Sequence, residues 1–153
     1  PAPPGPPAPT VTNTPRPPPP PPPPPSPTPS WGVGMVVYFP GVTGQGQLMG
    51  RILAIREDRT LNGVAARGKF VTVFWRVTNT GTTVESVSSR IVALGDNQGR
   101  RWAASPPEIQ RQAKTQFRRN IYFTAIAPGR SDEEVITFDV PADATGFGLV
   151  VTP

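Results

Sequence analysis

The 153-residue chain contains no cysteine and no histidine. The first absence excludes disulfides, thiolate metal sites and thiol nucleophiles, and the second removes the commonest general base and metal ligand at neutral pH. Lysine is almost as scarce, with Lys69 and Lys114 the only two. Neither lysine follows a serine at Ser-x-x-Lys spacing, and no G-x-S-x-G occurs, so no activated hydroxyl nucleophile is recognisable. Carboxylates number ten, too few and too concentrated in turn-like stretches to suggest a glycosidase pair. Asp132, Glu133 and Glu134, or Asp96 with Asn97, offer oxygens to a calcium ion but lack the EF-hand spacing, and they read as turn and solvated charge. No apolar run approaches the roughly 18 residues of a membrane span. These absences point away from an enzyme, and no cofactor or metal is expected.

What is abundant is proline. Residues 1–30 hold 18 of the 24 prolines, and Pro17, Pro18, Pro19, Pro20, Pro21, Pro22, Pro23, Pro24 and Pro25 follow one another without a break. A ring-locked φ and a missing amide donor bar such a run from helix interiors and sheet ladders and leave an extended polyproline II tail. At about 3.1 Å per residue the nine prolines span roughly 28 Å. The chain divides into a Pro-rich stalk or docking tail over residues 1–30 and a folded domain over residues 31–153. The nine prolines are the candidate partner-docking element, because a polyproline helix is ordered before it binds. Thr10, Thr12, Thr14, Ser26, Thr28 and Ser30 among the prolines match the composition of an O-glycosylated stalk. Pro1 in place of a methionine fits a chain whose leader or anchor lies upstream.

Beyond residue 31 the pattern is that of strands. Residues 35–39 (MVVYF) are β-prone and end at Pro40-Gly41. Gly41, Gly44, Gly46 and Gly50 form a glycine-rich stretch that is followed by a strand-like run, residues 51–56, rather than by a helix, so a loop is expected there and not a phosphate cradle. In residues 69–78 (KFVTVFWRVT), Val71, Val73, Trp75 and Val77 share one face, which should be the core, and Phe70, Thr72, Phe74 and Arg76 share the other. Residues 86–94 read as a further strand, and Asp96-Asn97-Gln98-Gly99 turns the chain into residues 100–104 as a hairpin. Residues 106–115 (PPEIQRQAKT) read as one short helix. Residues 117–125 are expected to be extended, and residues 134–140 and 147–151 to be the last strands. The expected fold is all-β: an Ig-like antiparallel β-sandwich of seven or eight strands with at most one short helix.

Net charge is +5, with 13 arginines. That excess favours anionic partners without choosing among them. Arg100, Arg101, Trp102, Arg118 and Arg119, with Arg111 and Tyr122 nearby in sequence, are the candidate anionic-ligand patch, since cations beside a stacking ring suit acidic polymers. Nucleic acid is the weakest such partner, as no recognised motif accompanies the charge.

Three strings carry a resemblance: GKFVTVFWRVTNTGTTVESVSS, LGDNQGRRW and APGRSDEEVITFDVPADA. With them the chain resembles a bacterial family of secreted Ig-like domains of unknown function, similar in fold to the mycobacterial immunoprotective extracellular protein. The resemblance spans roughly residues 35–152 and implies an extracellular or cell-envelope location in bacteria. It transfers no catalytic residue. Together these readings anticipate a non-enzymatic, exported structural or protein-interaction subunit. Its sandwich assembles with other proteins, as a homo-oligomer or a larger surface assembly, and its tail acts as a spacer or docks into a neighbouring subunit. The alternative is a monomeric cell-surface module that binds anionic polysaccharide or another acidic polymer.

Overall fold

The computed structural model describes residues 1–23, 32–122 and 124–152. Its elements, in chain order, are β1 (Val36–Pro40), β2 (Gln47–Leu61), β3 (Val64–Asn79), β4 (Val92–Gly95), β5 (Arg101–Ala103), α1 (Pro107–Phe117), β6 (Ser131–Val140) and β7 (Gly148–Val151). They form two antiparallel sheets, one ordered β1-β2-β3-β6 and the other β5-β4-β7. The expected sandwich is present.

The alternation in β3 does what it predicts: Val71, Val73, Trp75 and Val77 are buried between the sheets. They meet Val37, Phe39, Leu48, Ile52, Ile136 and Phe138 of the same sheet and Val92, Leu94 and Leu149 of the other. Each such side chain contributes roughly 1.5–3 kcal/mol by leaving water. The opposite face of β3 is not left to solvent. Phe70 and Thr72 are also buried, because α1 lies over this half of the sheet and encloses Phe70, Val135 and Ala113 in a second small core, with Phe74 and Phe117 edge to face at 4.9 Å.

β2 is longer than residues 51–56 suggest and includes Gly50, which therefore belongs to a strand and not to the glycine loop. A Cβ at residue 50 would press on the rings of Trp75 and Phe39, whose stacked centroids lie 5.4 Å apart. β2 and β3 are joined by Asn62-Gly63, both at positive φ (46° and 82°), the two-residue turn whose twist matches a hairpin. Of residues 86–94 only the end joins a ladder, and the preceding segment is a loop tied down by side chains. Residues 117–125 are not a strand. α1 runs to Phe117, Arg118 ends it in the left-handed conformation (φ 52°), and Asn120 makes a single parallel bridge to Glu134. Residues 1–23 carry no helix or strand and are exposed throughout. The ends of the expected proline element, Pro24 and Pro25, and the expected domain boundary near residue 31 lie outside the described residues.

Candidate interaction surface

The arginines singled out in sequence sit on different layers. Arg100 closes the β4–β5 hairpin: its Nε donates to Asp96 at 2.8 Å, its Nη1 to Asp143 at 3.2 Å, and its guanidinium lies 5.3 Å from the Trp102 ring. Burial works against ionisation of Asp96, but the Arg100 guanidinium and the amides of Arg100 and Gln98 outweigh it and hold the carboxyl below its ordinary range. The Arg100 charge is therefore engaged within the turn. Arg101 is exposed on β5, and Trp102 is half-buried against the sandwich core. Arg118 and Arg119 instead follow α1, outside the four-stranded sheet. Arg119 faces Glu133 at 3.4 Å, and Glu133 also accepts from Arg76 Nη2 at 2.8 Å. That bond from Arg76, helped by the charge of Arg119, depresses the Glu133 pKa.

Two buried carboxyls escape the sequence reading. Glu85 fills the space inside the glycine loop, accepting from the Thr43 hydroxyl and from the amides of Thr43 (3.2 Å) and Gly46 (3.0 Å). Those bonds, the Thr43 hydroxyl first, lower its pKa. Gly41 and Gly46 are glycines because a Cβ at either would overlap the Glu85 carboxylate. Glu134 is the opposite case. It stands across from Trp75 in the β3–β6 register and is buried, and among the described residues neither its carboxyl oxygens nor the Trp75 Nε1 has a hydrogen-bond partner. Burial, reinforced by the charge of Asp132, raises its pKa to about 8. The available signal was position: Asp132, Glu133 and Glu134 alternate on a strand, so neighbours in sequence enter opposite environments.

The concave features are modest. A cleft of about 830 Å³ opens at one end of the sandwich between Arg67, Phe70, Ser105, Ile109 and Asp139. Asp139 spends its oxygens on the amides of Arg67 (3.0 Å) and Gly68 (3.3 Å), so its role there is to hold the backbone. No group of histidine, cysteine, aspartate or glutamate side chains suited to a metal ion occurs among the described residues.

The four-stranded sheet is open in another place. α1 packs over β6, β3 and part of β2, whereas on β1 the outward-facing Tyr38 is 57% exposed, and Met35 (50%) is exposed just before the strand. The edge of that sheet is also incomplete. β1 pairs with β2 only from Gln47 to Arg51, and no strand among the described residues pairs with that side of β2 further along.

No protein-family model matches the chain, and no curated protein matches its sequence. Among solved structures it is similar to MPT63, a secreted protein from Mycobacterium tuberculosis, with a TM-score of 0.57 and 14% identity over 84% of this chain and 92% of that one. The resemblance read from the sequence is thus met in three dimensions, and this chain shares the β-sandwich fold of the secreted mycobacterial protein.

Proposed function

We propose that this chain is an exported, non-enzymatic interaction subunit: the sandwich is a docking body, and the Pro-rich tail is the spacer or the segment that docks into a neighbouring subunit. The observation that carries this reading is the unfinished four-stranded sheet, open on its outer face at Tyr38, with Met35 exposed just before β1, and open along the outer edge of β2. Exposed apolar groups beside an unpaired strand edge are the surface that a protein partner completes. Export is supported by the secreted protein of like fold and by a stalk-like tail. A non-catalytic role is supported by the missing cysteine and histidine. The test is sedimentation of the full chain beside a chain lacking residues 1–30. The full chain is expected to exceed its monomer mass of 16.3 kDa and the truncated chain to run as a monomer. A monomeric full chain, or undiminished assembly after truncation, overturns tail docking. A second reading, binding of an anionic polymer, draws support from exposed Arg101 and Arg118, which have no ion-pair partner among the described residues.

A further inference from the structure

Among the described residues, no strand pairs with the outer edge of β2 beyond its contact with β1. The last bonds across to the β1 side are Gly34 N to Ile52 O (2.8 Å) and Ile52 N to Met35 O (3.2 Å), after which β2 continues to Leu61. Ile52 thus turns its amide and carbonyl toward β1. The register shift between Ile52 and Ala54 moves the alternation by one residue, so that Ile55 and Glu57 direct their backbone groups to the open side, before a second shift at Asp58 to Thr60. The edge is not an indiscriminate one. Arg56, Glu57, Asp58 and Arg59 line it with charge, and two register shifts twist it, the devices that discourage apolar self-pairing. A suitable added strand is short and polar, and carries consecutive amide donors.

The chain holds one such segment outside the domain. Thr10, Val11, Thr12, Asn13 and Thr14 lie between Pro9 and Pro15, and they are the only run of five consecutive amide donors in residues 1–30. Three threonines and a valine favour extended pairing. Val11 is 83% exposed, so nothing in its own chain covers it. In sequence, nine consecutive prolines separate this segment from the domain, and an extended polyproline helix of that length would span about 28 Å, against a radius of gyration of about 14 Å for a domain of this size. Such a reach is long enough to present the segment to another copy.

We propose that residues 10–14 of one copy add as a strand to the open edge of β2, at Ile55 and Glu57, in a second copy. The inference rests on the assembly reading above and names its contact. The two surfaces differ, so the interface is heterologous and each copy both gives and receives, which yields chains or a closed ring rather than a two-fold dimer. Main-chain pairing supplies the attachment and the proline rod supplies the spacing.

The test uses the full chain and two variants. Val11→Pro with Thr12→Pro removes donors from the tail, where the domain's fold is not at risk. Glu57→Pro removes an outward-facing amide from the receiving edge, a position where an edge strand tolerates proline; its thermal unfolding is compared with the parent's to confirm the fold. The parent is expected to sediment as a series of oligomers and each variant alone as a monomer. An equimolar mixture of the two is expected to stop at dimers, because the tail-defective copy can still receive and the edge-defective copy can still give. A parent that assembles while the tail variant assembles equally well overturns strand addition and leaves the assembly reading standing. A monomeric parent overturns both.

Discussion

Glu134 shows how much depends on one position in a strand. Three consecutive acids look like solvated charge, yet β6 sends Glu133 outward to Arg76 and Arg119 and Glu134 inward beside Trp75. Its folded pKa of about 8 lies above the ordinary 4.5, so between those values the folded chain holds a proton that the unfolded chain has released. Stability contributed by this group is complete below pH 4.5 and is lost as pH rises toward 8, at a limiting slope of about 1.4 kcal/mol per pH unit. Glu134→Gln should flatten that decline and stabilise the protein at pH 8, as read from denaturant midpoints across pH 5–9. An unchanged pH profile would refute the assignment. Glu85, Asp96 and Glu133, all shifted down, act in the opposite sense at acid pH, where stability falls as each is protonated. No periodicity reveals Glu85, since it lies in a loop and its burial depends on glycines some forty residues earlier in the chain.

Among the elements, α1 is legible in sequence and its purpose is not. Proline at its start and polar helix formers after it place it within two residues of the observed end. Its attachment rests on Gln110, a polar residue that is buried because it substitutes for a strand. Its Nε2 donates to Ser105 O (3.0 Å) and Thr137 O (2.7 Å), and its Oε1 accepts from Thr137 N (3.0 Å). Gln110→Leu keeps the volume and strands the Thr137 amide and the Ser105 carbonyl, while Thr137 O keeps its bond from Ser105 N, so a loss of about 2–4 kcal/mol is expected from the denaturant midpoint, with the m-value unchanged. A loss below 1 kcal/mol would mean that α1 is held by its apolar contacts alone. The β2–β3 hairpin is missing from the sequence reading, although Asn62-Gly63 is the strongest short hairpin signal. The charged residues around it mask the strand pattern, because between Ile55, which packs on the sandwich core, and Leu61, which enters the second core, β2 is largely exposed.

At the scale of the molecule, tail and domain are expected to be energetically separate, since residues 1–23 are exposed throughout. Removing residues 1–30 should therefore leave the unfolding temperature of the dilute monomer within about 1 °C, which calorimetry checks; a larger drop would show the tail packing on its own domain. Assembly, by contrast, should depend on the tail, because the donor-rich segment at residues 10–14 lies in the tail and the open edge of β2 lies in the domain.

Local rules acting within a few residues of one another were enough to determine the proline tail, the β3 alternation, the Asp96 turn, α1 and the sandwich class, all from sequence. Tertiary structure decided which of two similar faces or neighbouring acids is buried. It placed α1 over Phe70, turned Glu134 into the core, drew Arg100 into its own turn with Asp96 and Asp143, and ended β1 before β2. Each of these depends on segments far apart in the chain meeting in space, and burial and pairing are properties of that meeting rather than of any single segment.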